Sequence, residues 1–179
     1  MMNPDIERVL FSEEDIHRIV RDLAKQVSKQ YQGKIPLVVC VLKGAVIFMT
    51  DFVRAYDGML EMDFMDVSSY SGAHSTGEVR ILKDLDTSVK DRDVIILEDI
   101  VDTGTTLQSL TELFKHRGAS SVKIVSLFDK PSGRRVVVNV DYVGTSVPNE
   151  FIVGYGLDYN EHYRNLPFIG ILKPQVYGN

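Results

Sequence analysis

Three carboxylates and a run of hydroxyls are the residues best placed for chemistry: Glu98-Asp99, Asp102, then Thr103-Gly104-Thr105-Thr106. They follow the branched apolar run Val94-Ile95-Ile96-Leu97, which reads as a buried strand, and they lead into a helix expected over about 105–117. Strand-turn-helix order puts the turn at the carboxyl end of a sheet strand, where open α/β folds bind ligands. Backbone N–H groups of such a turn, with the positive end of the following helix, attract a phosphate. The carboxylates repel that phosphate, so they serve hydroxyl groups, a cation or a proton in transit. A ligand with a phosphate at one end and a diol in the middle fits both halves. The turn is not a Walker P-loop: Gly33-Lys34 is followed by Ile35, and Lys43-Gly44 has the wrong order.

The elements that must hold this turn are legible as an alternation of strands and helices. Ser12 followed by Glu13-Glu14-Asp15 marks a helix start, and Ile16, Ile19, Val20, Leu23 and Val27 recur at helical spacing over roughly 13–30. The apolar run from Ile35 to Leu42 suits a strand covered on both faces. Lys43-Gly44 breaks it, and the segment from Ala45 to Tyr56 reads as a helix, apolar on most sides and therefore buried. Further strands are expected over Glu61 to Ser69, with Met62, Phe64 and Val67 as its apolar positions, and over Val79–Lys83, Val122–Phe128, Val136–Val140 and Phe151–Tyr155. Gly118 fits the position just past the helix end. The glycine-bounded polar stretch 69–77 reads as a loop, and Lys130-Pro131-Ser132-Gly133 as a turn. This order predicts one α/β domain over 1–179, built on a mainly parallel sheet with right-handed crossovers.

Composition narrows the function. The chain has 179 residues, enough for a sizeable core, and its 44% hydrophobic and 25% charged residues are ordinary for a globular protein. A net charge of −5 argues against bulk attraction to nucleic acid or an anionic membrane. No apolar run approaches a membrane span of about 18 residues, and the start, Met1-Met2-Asn3-Pro4-Asp5, lacks the basic-then-apolar pattern of a secretory signal. A cytoplasmic protein is the expectation. Cys40, the only cysteine, lies inside an apolar run and reads as a buried hydrophobe. The histidines His17, His74, His116 and His162 have no metal-ligand spacing, and Arg134-Arg135 reads as a solvated pair.

The acidic segment Glu98 to Thr106 resembles the phosphoribosyl pyrophosphate (PRPP) signature of type I phosphoribosyltransferases. The segment Phe151-Ile152-Val153-Gly154-Tyr155-Gly156-Leu157-Asp158-Tyr159-Asn160-Glu161-His162-Tyr163-Arg164 resembles the hypoxanthine-guanine branch of that family. The similarity runs from about Leu10 to the end. It implies a twisted, mainly parallel sheet flanked by helices, with a small hood made by the N- and C-terminal segments. It also implies transfer of a 5-phosphoribosyl group from PRPP to a 6-oxopurine, with Mg²⁺ as cofactor and a homodimer or homotetramer as the assembly.

Residue by residue, the resemblance implies that Glu98 and Asp99 hold the ribose hydroxyls and help place the metal. Asp102 is the implied base, and Thr103, Gly104, Thr105 and Thr106 hold the 5′-phosphate. Leu42-Lys43-Gly44 matches a pyrophosphate loop, often with a cis bond before the lysine, and Arg164 joins Lys43 and Gly44 on pyrophosphate. Lys130 donates to the purine 6-oxygen, an assignment that suits an ammonium, which has donors and no acceptor. Phe151 stacks on the base, Ile152 meets its edge through the main chain, and Asp158 stands at the purine site and approaches a second metal ion. Ser69-Tyr70 begins a lid that excludes water. Thr105 stands where some eukaryotic members carry lysine, so the phosphate would be held by main-chain N–H groups and hydroxyls. The alternatives are an RNA-binding regulator of the same fold and a signalling domain with a phosphoacceptor aspartate. The second leaves Thr103–Thr106 and the aromatic segment unexplained.

Overall fold

The computed structural model describes residues 4–69 and 79–178. Two sheets organise them. The larger has the order β4-β3-β2-β5-β6-β7, with β2 at Leu37–Leu42, β3 at Glu61–Ser69, β4 at Val79–Lys83, β5 at Asp93–Val101, β6 at Ser121–Asp129 and β7 at Tyr142–Ser146. All its pairings are parallel except β3 with β4. The smaller sheet is antiparallel, with the order β1-β9-β8, where β1 is Ile6–Phe11, β8 is Ile152–Val153 and β9 is Ile169–Leu172. It is the hood that the resemblance implies, built from both ends of the chain.

Strand β2 and the first half of β5 are buried on both faces, as continuous branched runs require. One face packs against helices α1 (Glu13–Gln30) and α2 (Val46–Ala55), the other against α3 (Thr105–His116). Burying each large apolar side chain typically stabilises by ~1.5–3 kcal/mol, so these two layers hold β5 as a rigid support. The Ser12 hydroxyl accepts from the Asp15 N–H while the Asp15 carboxylate accepts from the Ser12 N–H, a capping box that starts α1 at Glu13. Helix α3 ends at His116, and Gly118, at φ +85°, turns the chain into β6. No helix of the described residues is long and apolar enough to cross a membrane.

The structure corrects several expectations. The strand expected over Val136–Val140 is absent, and β7 forms at Tyr142–Ser146 instead. Arg135 and Val136 give their N–H groups to the Thr103 carbonyl, so this segment lies along the acidic turn and leaves Val137 95% exposed. Helix α2 buries one face through Phe48, Met49 and Phe52, while Val46, Thr50 and Arg54, spaced four apart, stay exposed. In β3 the apolar Met62 and Phe64 face outward, 52% and 36% exposed, and Asp63 and Met65 turn inward. The buried Asp63 carboxylate accepts from the N–H groups of Phe64 and Thr87, which satisfies it. The strand expected over Phe151–Tyr155 shrinks to Ile152–Val153, because Gly154 and Tyr155 take positive φ and turn the chain. Strands β1 and β9 carried no signal of their own.

Candidate active site

Strand β5 carries Glu98 and Asp99, Asp102 follows its end directly, and α3 begins at Thr105. Gly104, at φ +83°, makes the turn between the two, and a side chain there would run into Val138 and Val136. The first N–H groups of α3 have no acceptor within the helix and stand at its positive end, where that of Thr105 makes a long contact of 3.4 Å with the Thr103 hydroxyl. A cavity of about 180 Å³ lies against this turn, lined by Glu98, Asp102, Thr103, Gly104, Thr106 and Leu107 among others.

A second cavity, of about 310 Å³, lies on the other side of Asp102. Asp99, Lys130, Phe151, Ile152 and Asp158 line it together with Asp102. Asp102 and Ile100 border both spaces. Larger cavities of about 360 and 460 Å³ lie beside α3 and between α1 and α2, and neither contains the acidic turn. Size therefore does not mark the site; the convergence of acids, a lysine and an aromatic ring does.

Glu98 and Asp99 are neighbours in sequence but open onto different cavities, because successive strand residues point to opposite faces. The Glu98 Oε2 atom is sealed from solvent and has no hydrogen-bond partner among the described residues. Burial, with the nearby Asp99 charge adding to it, pushes the Glu98 carboxyl well up. Burial also pushes Asp99 up to about 6, against the Ile100 N–H and the Arg164 charge, which both lower it. Burial of Cys40 beneath both acids raises its thiol to about 12, so it is an inert core residue, as expected.

The Leu42–Lys43 peptide is cis, as the resemblance implies for this loop. Gly44 is fixed by packing: a Cβ there would collide with the Asp99 carboxylate, and the Gly156 Cα sits against the Gly44 carbonyl. The loop after β2 is thereby locked between β5 and the hood. The hood is also tied to α2 by the Tyr155 hydroxyl, which donates to Asp51 at 2.6 Å. Ring stacking of Phe11 on Phe128, at 5.5 Å between centroids, joins β1 to the end of β6.

Lys43 is exposed and its Nζ donates to Glu161 at 3.0 Å. Arg164 Nη2 lies 2.9 Å from Asp158 Oδ1 and 3.5 Å from Glu161 Oε1, and its Nη1 donates to the Gly156 carbonyl at 2.7 Å. The Lys43 ammonium and the Arg164 guanidinium thus share one carboxylate, Glu161, whose carboxyl the Lys43 ammonium holds below its usual range. Glu161 was not singled out by sequence, although it lies within the segment that carries the resemblance. Phe151 stacks on Tyr177 at 4.8 Å and meets Tyr159 edge-on at 5.5 Å. Tyr177, near the chain end, had no signal beyond being aromatic. Lys130 Nζ donates to the Glu150 carbonyl at 3.4 Å. Ser69 ends β3, and Tyr70 with the rest of the expected lid lies outside the described residues.

The expectation of a solvated Arg134-Arg135 pair holds only for Arg135. The Arg134 side chain is 22% exposed and donates to the main-chain carbonyls of Val101 and Asp102. The short turn Pro131–Gly133 brings it there, and a side chain at Gly133 would collide with the Asp102 carboxylate. A Pro-Ser-Gly turn beside the acidic loop was the available signal for this return of the chain.

The model of the phosphoribosyl transferase domain matches residues 10–160. The chain belongs to the phosphoribosyltransferase family. Within that family it is 58% identical to the hypoxanthine-guanine phosphoribosyltransferase of Streptococcus thermophilus over 178 residues, covering 99% of each chain. It is also 58% identical over 177 residues to the bifunctional protein TilS/HprT of Listeria innocua, and it spans about a quarter (27%) of the length of that relative. A solved hypoxanthine phosphoribosyltransferase from Staphylococcus aureus superposes with a TM-score of 0.94 at 53% identity, covering 98% of this chain and 96% of that one.

Proposed function

We propose that the chain is a purine-salvage enzyme that moves the 5-phosphoribosyl group of PRPP onto N9 of hypoxanthine or guanine, giving the nucleoside 5′-monophosphate and pyrophosphate. One observation carries this reading: Asp102 stands between a cavity at the start of α3 and a cavity lined by Lys130 and Phe151. The first suits a 5′-phosphate, the second a planar oxo base, and the carboxylate between them is placed to act on the atoms that join the two.

In this account the main-chain N–H groups and hydroxyls of Thr103, Gly104, Thr105 and Thr106 hold the phosphate. Glu98 and Asp99 hold the ribose hydroxyls and help place the metal. Phe151 stacks on the base, Ile152 meets its edge, and Lys130 donates to the 6-oxygen, which disfavours a 6-amino base. Asp102 accepts the N7 proton as N9 bonds to the anomeric carbon. Lys43, Gly44 and Arg164 stabilise charge gathering on the departing pyrophosphate. Ser69 and Tyr70 open the lid that keeps water from the activated sugar.

The donor set fits magnesium. Asp99 and Asp158 line one cavity, and Glu98, one of whose carboxylate oxygens has no hydrogen-bond partner among the described residues, lines the other. Among the described residues no three or more such side chains converge on one point, and Mg²⁺ is commonly bound by one or two carboxylates together with substrate phosphates. When bound there, the ion supplies positive charge against the diphosphate. The protein acts as one domain over residues 1–179, in the cytoplasm, as a homodimer or homotetramer. The test is product formation from PRPP and Mg²⁺ with hypoxanthine, guanine, xanthine and adenine in turn. Hypoxanthine and guanine are expected to yield nucleotide and adenine none; equal use of adenine would overturn the reading.

A further inference from the structure

The most constrained charged group that the reaction does not directly use is Arg134. Its Nη1 donates to the Val101 carbonyl at 2.6 Å and to the Asp102 carbonyl at 2.7 Å, and its Nη2 pairs with the Asp129 carboxylate. The neighbouring main chain does the same work. Lys130 N–H donates to the Val101 carbonyl at 3.0 Å, and the N–H groups of Arg135 and Val136 donate to the Thr103 carbonyl at 3.0 and 3.3 Å. Residues 130–136 therefore draw three successive carbonyls, 101 to 103, toward themselves.

A turn that binds an anion through its N–H groups must keep its carbonyl dipoles from facing that anion. Withdrawing the carbonyls of Val101, Asp102 and Thr103 to one side does this. The planar guanidinium suits the task because its donors are held in a fixed fork that sets the directions of several acceptors at once, a geometry that the freely rotating ammonium lacks. Asp129, the third acceptor, immediately precedes Lys130. One guanidinium thus joins the backbone of the acidic turn to the strand end that carries the base-reading lysine. Arg134 lines neither cavity of the site.

We propose that Arg134 is a positioning residue for the transfer: it holds the main chain at Val101–Asp102 in register with Lys130, so that the phosphate turn and the base pocket keep a fixed separation. This rests on the function proposed above. The experiment measures kcat, KM for PRPP and the melting temperature of the full-length protein as wild type, Arg134→Gln and Arg134→Lys. Nucleotide synthesis by the wild type tests the underlying reading separately, since its failure there would precede any effect of Arg134. The glutamine variant is expected to lose about tenfold or more in kcat/KM for PRPP, the scale of one charge-assisted hydrogen bond, while remaining folded at assay temperature. The lysine variant, which keeps the charge and loses the fork, is expected to recover only part of this. Should the glutamine variant not fold, a folded lysine variant with a raised KM for PRPP still supports the proposal. Wild-type kcat and KM in either folded variant would overturn it, as would full recovery by lysine.

Discussion

Replacing Asp99 by Asn should stabilise the protein while removing activity. Burial lifts the Asp99 carboxyl from 3.8 to about 6. A carboxyl raised in the folded state contributes its full stability below its unfolded value, and that contribution is lost as pH climbs through the folded value. Above pH 6 the ionised Asp99 therefore weighs against folding. A rise of about two pH units, at about 1.4 kcal/mol each, amounts to at most about 3 kcal/mol. For a chain of this size that is a melting-temperature difference of at most roughly 6–12 °C. Asparagine keeps an oxygen for the Ile100 N–H, which Asp99 accepts at 2.7 Å, and it removes the buried charge. Thermal unfolding of both proteins, followed from pH 4.5 to 8 without nucleotide or metal, measures the effect. The variant is expected to gain on the wild type through pH 4.5–6.5 and to hold a constant advantage above that range. Parallel curves, or a more stable wild type at pH 8, would refute the reasoning. The same substitution should reduce turnover, since active sites commonly keep charges that cost stability.

Three further outcomes follow from the site. Asp102→Asn should lower kcat by ~10²–10⁴, the usual worth of general acid–base assistance, with an unchanged melting temperature; wild-type steady-state turnover would remove Asp102 as the base. Lys130→Ala should reduce the preference for hypoxanthine over adenine by roughly ten- to hundredfold, the value of a hydrogen bond to a charged donor, read as the ratio of kcat/KM for the two bases. Excess EDTA should abolish synthesis and added Mg²⁺ should restore it, measured by chromatography of the product; persistent metal-free activity would contradict the proposed donor set.

What the sequence made legible was local. The run Val94 to Leu97, the acids and the Thr-Gly-Thr-Thr turn specify β5, its turn and α3 through neighbours a few residues apart, and Ser12 with Asp15 specifies the start of α1 within one turn. What escaped was long-range. Ile6 pairs with Leu172 across nearly the whole chain; β1 lacks a regular alternation of buried and exposed residues, and β9 has only four residues. Met62 and Phe64 have the apolar character of inward positions, yet the Asp63 carboxylate takes the buried side, where the Thr87 N–H meets it. Arg134 resembles any surface arginine until the Pro131–Gly133 turn folds it back onto the carbonyls of Val101 and Asp102. The resemblance supplied what local physics could not, namely the expectation that Lys43, Lys130 and Arg164, far apart in the chain, act at one site.

The most direct test of the site is a crystal of the protein grown with inosine 5′-monophosphate. Difference density should place the phosphate on the N–H groups of residues 103–106, the ribose beside Glu98 and Asp99, and the base against Phe151 with its 6-oxygen at Lys130. Density for the nucleotide in the cavity between α1 and α2, or a base lying away from Phe151 and Lys130, would contradict the account.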